Sequence, residues 1–143
     1  HARVLPNGNW ELGVHIADVT HFLEYGSAMD TEAARRGTSV YLVQRRIDML
    51  PKALTEDICS LRSGVERLTF SVIWEVTPPE PDGSGGVEIV SVRFTKAVIK
   101  SRAALSYQEA QLRIDDPRLE DEVTAGLRRL LRVARILRSR RTQ

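Results

Sequence analysis

Cysteine and long apolar runs are nearly missing from this sequence, and their scarcity excludes two classes of protein. Its one cysteine, Cys59, cannot form an internal disulfide, so a disulfide-rich secreted scaffold is excluded. A lone cysteine is usually a small buried hydrophobic residue rather than a reactive thiol. No apolar run approaches the roughly 20 residues that span a bilayer, and the first residues lack the pattern of a signal peptide. We therefore expect a soluble protein, and the single cysteine suits a reducing compartment.

The sequence also lacks an excess of either charge, since its 21 basic and 19 acidic residues give a net charge of only +2. A balance this small does not by itself predict a nucleic-acid partner. The region from Gly126 to Gln143 is different, because it contains seven arginines and no acidic residue. These arginines fit three alternatives: contact with phosphates, a solvated helix face, or contact with acidic parts of a larger protein.

Recognisable catalytic motifs are missing as well: there is no glycine-rich phosphate loop, no paired cysteine motif and no nucleophile elbow. His15 and His21 are too far apart for one helical face, so a structural or surface role is favoured over metal binding. Asp18 follows a predicted strand and is the best-placed carboxylate, although an aspartate that caps a turn is commoner. Asp115 and Asp116 are explained by helix capping.

Alternating apolar residues predict strands at residues 10–16, 68–76 and 87–99. The last two form an antiparallel hairpin, joined by a polar connection at residues 78–86 that we expect to be exposed and mobile. Residues 30–36 predict a helix that ends at Gly37 and continues into an extended segment.

Three further helix starts are predicted from capping residues. Thr55 is expected to cap a short helix, and Ser106 with Glu109 forms a capping-box pattern. Asp115 to Pro117 marks the end of that helix and the cap of the next, in which apolar residues recur at helical spacing. Strands come mainly first and helices last, which predicts an α+β fold.

Two tyrosines stand next to predicted element boundaries with basic residues nearby. Tyr41 precedes Arg45 and Arg46, and Tyr107 follows Lys100 and Arg102. Exposed aromatic rings beside cations suit stacking of single-stranded bases, whereas buried ones would be core or rim residues. Composition alone favours a core or rim role for both tyrosines over base stacking.

Five phrases of the sequence resemble the catalytic domain of ribonuclease II-type (RNB) exoribonucleases, in the order of that family. They are residues 5–19 (LPNGNWELGVHIADV), 36–42 (RGTSVYL), 49–51 (MLP), 57–62 (DICSLR) and 99–107 (IKSRAALSY). The longer segment 45–51 (RRIDMLP) looks most like the exosome-associated eukaryotic branch. The resemblance covers most of the chain. We therefore expect residues 1–143 to be a partial RNB-type domain that comprises its N-terminal and middle parts.

The resemblance implies a magnesium-dependent, hydrolytic 3′-to-5′ exoribonuclease that acts on single-stranded RNA, with the exosome core as a possible partner and a nuclear or cytoplasmic location. It further implies that Tyr41 stacks on bases of the RNA and that Tyr107 positions the terminal nucleotide. Asp18 is a possible supporting residue behind the metal site. The family's metal-binding aspartates would precede His1, so we expect this chain to bind no metal and to be inactive alone. The alternative is a catalytically inactive relative that serves as an RNA-binding or scaffold module.

Overall fold

The computed structural model describes residues 1–80 and 86–142. It contains six strands and three α-helices, together with a 3-10 turn at Val19–His21 and a π-helical segment at Ala53–Ile58. In chain order the elements are β1 (Ala2–Val4), β2 (Trp10–Ala17), α1 (Ala28–Arg36), β3 (Val40–Tyr41), β4 (Arg46–Ile47), β5 (Glu66–Val76), β6 (Ile89–Lys100), α2 (Tyr107–Asp115) and α3 (Glu122–Arg141).

The main sheet has four strands in the order β1-β2-β5-β6, and β3 pairs with β4 in a separate antiparallel hairpin. Strand β1 pairs antiparallel with β2, with Val4 opposite Trp10. The Thr77 amide donates to the Glu88 carbonyl at 3.0 Å, and the Thr69 hydroxyl donates to the Ala97 carbonyl at 3.3 Å. These pairings make β5 and β6 antiparallel, so the predicted hairpin and the α+β class are both confirmed.

The chain divides into two compact units, and β2, β5 and β6 each contribute residues to both. The first unit comprises His1–His15, Ser71–Thr95 and Arg102–Gln143, and the second comprises Ile16–Phe70 and Lys96–Ser101. No helix in the described part of the chain combines the length and apolarity needed to cross a membrane.

The first unit has a small apolar core where α3 packs on β1. The buried side chains of this core are Ala2, Leu12, Val76, Val87 and Val133. Four partly buried side chains pack against them: Trp10, Trp74, Leu130 and Ile136. Helix α3 comes close to β1 at Gly126, where a Cβ atom would lie 3.4 Å from the Ala2 carbonyl oxygen. A Cβ atom at this distance would only just fit, so helix and strand approach each other closely at this point.

Two of the predicted helix boundaries are confirmed. Helix α1 begins after the Ser27 cap and ends at Gly37, whose φ of +71° is a conformation that glycine adopts easily. Helix α2 begins with the predicted capping box, because the Ser106 hydroxyl accepts from the Glu109 amide at 3.2 Å and the Glu109 carboxylate accepts from the Ser106 amide at 2.7 Å.

The other two predicted caps are wrong. Asp116 does lie in an extended conformation before Pro117 and ends α2, but α3 begins later, where the carboxylate of Asp121 accepts from the amides of Val123 and Thr124. Thr55 lies inside the π-helical segment instead of capping a helix, and its hydroxyl donates to Asp48 at 3.3 Å.

Burial along the strands also departs from expectation in places. The predicted alternation of β2 fails in the second half of the strand, where Val14 and Ile16 are 51% and 67% exposed while His15 and Ala17 are partly buried. Pro79 is buried rather than exposed, while Pro78, Glu80 and Gly86 are exposed as predicted. The rest of the predicted mobile connection, residues 81–85, lies outside the described residues. Cys59 is buried as predicted, and burial raises the pKa of its thiol.

Candidate functional site

Tyr41 lies on the hairpin of β3 and β4, directly opposite Arg46. The Leu42 amide donates to the Arg45 carbonyl at 2.9 Å and closes the turn between the two strands. The Tyr41 side chain is 77% exposed. A tyrosine held at the end of a short strand with its ring open to solvent presents a face on which a planar base can stack.

The base of this hairpin is held by Asp48. Its carboxylate accepts from the Arg46 guanidinium, with Nε and Oδ1 2.6 Å apart, and from the Thr55 hydroxyl, while its backbone carbonyl accepts from Arg36 at 2.8 Å. The carboxylate of Asp48 raises the pKa of Arg46 further above its ordinary value, so this guanidinium stays charged. The hairpin that presents Tyr41 is therefore anchored at its base, which suits a fixed binding surface.

Tyr107 is the first residue of α2, immediately after the Ser106 cap, and it is 100% exposed. Because the capping box fixes where the helix starts, it also fixes the position from which the Tyr107 ring projects into solvent. The hydrogen bonds from Ser106 to Glu109 hold the pKa of that glutamate below its ordinary value. The carboxylate consequently stays ionised and keeps the cap in place.

Asp18 lies directly after β2 and is only 5% exposed. Its Oδ1 accepts from the Thr20 hydroxyl at 2.7 Å, and its Oδ2 pairs with the Lys96 ammonium at 3.0 Å. The Thr20 hydrogen bond, followed by the contact with Lys96, holds the pKa of Asp18 below its ordinary value. Both carboxylate oxygens are thus engaged within the protein, which fits a supporting residue better than a direct metal ligand.

The histidines take part in local packing and hydrogen bonding. His15 lies 2.8 Å from the Ser71 hydroxyl through Nδ1 and 2.7 Å from Nδ1 of His1 through Nε2, and burial lowers its pKa. His21 is exposed and meets the edge of Phe22. These contacts agree with the structural role that the sequence favoured for both residues.

The fit of a divalent metal to this chain can be tested on its donor atoms. Within residues 1–80 and 86–142, no three histidine, cysteine, aspartate or glutamate side chains come together in an arrangement that could hold a metal ion. Asp18, the best-placed carboxylate, already satisfies Thr20 and Lys96. The donor set of the described residues therefore does not fit the pair of magnesium ions that the resemblance implies for a complete enzyme.

Sequence reasoning missed the residues that support the candidate site. Asp48, which anchors the hairpin of Tyr41, stands two residues after Arg46. Opposite charges at this spacing could have predicted their ion pair. Lys96, the partner of Asp18, is separated from it by most of the chain and gave no local signal. Tyr41 and Asp18 belong to the second unit, whereas Tyr107 belongs to the first.

Comparison with known proteins gives a family and several relatives. The model of the RNB domain matches residues 1–143. The chain is 63% identical over 141 residues to the exosome complex exonuclease RRP44 homolog A of Arabidopsis thaliana, covering 99% of this chain and 14% of that protein. The chain thus spans about one seventh of the length of this curated relative.

Two solved structures share the fold. Mycoplasma genitalium RNase R in complex with double-stranded RNA superposes with a TM-score of 0.79 at 25% identity, covering 99% of this chain and 24% of that one. Yeast Ssd1, described as a pseudonuclease, also superposes with a TM-score of 0.79, at 29% identity, covering 99% of this chain and 16% of that one. The matched folds thus include both a ribonuclease and a relative described as a pseudonuclease.

Proposed function

Because this chain belongs to the RNB domain family, we propose that it is part of a hydrolytic 3′-to-5′ exoribonuclease that acts on single-stranded RNA in RNA processing and decay. The observation that carries the proposal is the family match over residues 1–143, with 63% identity to an exosome complex exonuclease. By the same likeness we propose that the full-length protein is intracellular, nuclear or cytoplasmic, and works with an exosome core. Mg²⁺ is the proposed cofactor of that full-length protein, with ligands outside the described residues.

Tyr41 and Tyr107 are the proposed RNA-binding residues of this chain. Tyr41 stacks on a base from its anchored hairpin, and Tyr107 positions the terminal nucleotide from the start of α2. Their exposure, 77% and 100%, supports this assignment, because a buried core tyrosine could not present its ring to RNA. Exposure of both rings also weighs against a protein-interaction domain that has no role in RNA binding.

Asp18 is proposed to act through its neighbours rather than on RNA or metal. Its carboxylate ties the end of β2 to Lys96 on β6 and to Thr20 in the following turn. By these contacts Asp18 holds the end of β2 in position. In the full-length protein, the fixed strand end would in turn support a metal site. We therefore retain it as a positioning residue.

The test of the proposed activity uses the full-length protein and a single-stranded RNA labelled at its 5′ end. With Mg²⁺ present, we expect stepwise shortening from the 3′ end, and we expect a chemically blocked 3′ end to prevent it. The isolated 143-residue chain should leave the same RNA intact. Cleavage inside the RNA, or shortening from the 5′ end, would contradict the proposal.

A second candidate function is an inactive RNA-binding or scaffold module, and the likeness to the pseudonuclease Ssd1 favours it. The same experiment separates the two candidates. A full-length protein that binds the labelled RNA tightly but never shortens it, with Mg²⁺ or with Mn²⁺, would support the inactive module. Reading the residues that precede His1 in the full-length protein would show whether the expected aspartates are there.

A further inference from the structure

The arginines of helix α3 differ from those in the rest of the chain in their ion pairing. Of the eleven arginines before Gly126, nine form ion pairs with carboxylates. None of the seven arginines after Gly126 forms an ion pair with any residue that the structure describes. Among residues 1–80 and 86–142, the positive charge of α3 is therefore concentrated and has no carboxylate partner, whereas most other arginines are paired.

Three of these arginines donate hydrogen bonds to backbone carbonyls, and one of them, Arg140, donates to Val87 at 3.0 Å. Arg128 donates to the carbonyls of Ile114, Asp116 and Leu119 at 3.2, 2.7 and 3.0 Å. Arg132 donates to the carbonyls of Pro79 and Glu80 and lies 6.0 Å from the centre of the Trp10 ring. A carbonyl dipole orients a guanidinium without cancelling its charge, so these contacts preserve the positive potential of α3 while holding it rigidly.

Other arginines of α3 remain available to a ligand. The guanidinium groups of Arg129, Arg135, Arg138 and Arg141 have no hydrogen-bond or ion-pair partner among residues 1–80 and 86–142, and Arg135 and Arg138 are exposed. A groove of about 560 Å³ runs along this side of the helix. Its lining combines arginines and aliphatic side chains, namely Ile114, Arg128, Leu131, Arg132, Arg135, Ile136 and Ser139.

The spacing of the groove residues places them on one face of the helix. Arg128, Arg132, Arg135 and Ser139 follow one another at intervals of four, three and four residues, which is the repeat of a single helical stripe. A row of guanidinium groups along one helix face matches a linear chain of negative charges. The free guanidinium forks of Arg135 and Arg138 suit phosphate oxygens, to which they can donate two parallel hydrogen bonds. Arg128 and Arg132 already donate to carbonyls, so they contribute positive charge instead.

We propose that this stripe of α3, with Arg138 at its edge, binds the phosphodiester backbone of RNA independently of base sequence. No aromatic side chain lines the groove, so stacking on bases is not expected there, in contrast to Tyr41. An acidic protein surface is the competing ligand, and the test below distinguishes it from RNA. The inference rests on the proposed function for the identity of the ligand, and adds a second contact surface to it.

The test compares two double variants of the full-length protein that remove the same charge. In the first, Arg135→Gln and Arg138→Gln remove unpaired groups of α3 that make no described contacts within the protein. In the control, Arg35→Gln and Arg118→Gln remove exposed groups that are already paired with Glu32 and Asp116. Binding of a long single-stranded RNA is measured by fluorescence anisotropy over a range of salt concentrations, with EDTA present so that the RNA stays intact.

The α3 variant should bind more weakly at low salt, and the plot of log affinity against log salt should flatten by about 0.7 for each lost phosphate contact, or about 1.4 for both. The control should keep the slope of the unmodified protein. If both variants change the slope equally, or neither changes it, the proposal is wrong, and an acidic protein becomes the better candidate ligand for α3.

This outcome is separable from a failure of the proposed function. An unmodified protein that never shortens RNA would contradict the exoribonuclease assignment, yet its salt slope would still report whether α3 contacts phosphates. Tyr41→Ala, measured in the same way, should lower the affinity at every salt concentration while leaving the slope unchanged, because stacking releases no counterions.

Discussion

The ammonium group of Lys96 lies 3.0 Å from the carboxylate of Asp18, joining an exposed lysine on β6 to a buried aspartate at the end of β2. The Thr20 hydroxyl satisfies the other carboxylate oxygen at 2.7 Å. A buried carboxylate is tolerated only when it is paired and hydrogen-bonded, and here both conditions are met. Replacing Asp18 should therefore weaken the fold.

The stability that Asp18 contributes should depend on pH in a definite direction. Its pKa in the folded protein lies below the ordinary value of 3.8, so its charge stabilises the fold above that value, and this contribution is lost as pH falls through the lower folded pKa. Asp18→Asn should thus be less stable at neutral pH, and its difference from the unmodified protein should shrink in acid. Urea unfolding across this range measures the difference, with Asp115→Asn, an exposed residue of α2, as the control.

Tyr41→Ala in the full-length protein should weaken RNA binding by about 1–3 kcal/mol, since one stacking face is lost. Short products should then dissociate earlier, leaving longer end products. Tyr25→Ala is a matched control, because Tyr25 is 97% exposed and belongs to the same unit. Equal affinity for RNA in the unmodified protein and the Tyr41 variant would remove Tyr41 from the site.

Tyr107→Ala should act on the rate more than on affinity. A shift of about 1 Å in the terminal nucleotide can cost on the order of a hundredfold in turnover, so we expect a lower kcat with a smaller change in KM. Discrimination between ribose and deoxyribose at the RNA end should also weaken. The variant Tyr107→Phe keeps the ring and removes only the hydroxyl. If its kcat equals that of the unmodified protein, the ring alone positions the terminal nucleotide.

Local sequence signals predicted most elements of this fold, and their failures have physical causes. The capping box of Ser106 and Glu109 depends only on neighbouring residues, so the start of α2 was predictable. The start of α3 was not, because Asp115, Asp116 and Asp121 are all good caps by type, and only the turn after Pro117 decides between them.

The candidate site was predictable only in part. Tyr41 and Tyr107 came from the family resemblance and from nearby basic residues, and the structure adds their exposure. The partner of Asp18 is separated from it by 78 positions in the chain. Such a contact leaves no periodic pattern, and pairing across a sheet is fixed only once the strands have assembled.

Asp121→Ala should destabilise the protein by about 1 kcal/mol, because the amides of Val123 and Thr124 lose the carboxylate that caps α3. Its carboxylate also accepts from the Thr124 hydroxyl at 2.7 Å, which adds to the loss. Glu120→Ala, one residue earlier and exposed, is the control. Chemical denaturation followed by circular dichroism should show the loss in the cap variant alone.

Arg132→Gln should release the carbonyls of Pro79 and Glu80 and make the connection after β5 easier to cleave. Limited proteolysis should therefore cut between Thr77 and Val87 sooner in this variant than in the unmodified protein. Arg129→Gln removes the same charge from a position with no described partner. If the two variants are cut at the same rate, the guanidinium of Arg132 does not restrain the connection.

Both ends of that connection are tied to α3, since Arg132 binds the carbonyls of Pro79 and Glu80 and Arg140 binds the carbonyl of Val87 at 3.0 Å. Helix α3 therefore reinforces the pairing of β5 with β6 at the end where the connection leaves the sheet. Cleavage of the chain between Thr77 and Val87 would accordingly report whether α3 is still folded against the sheet.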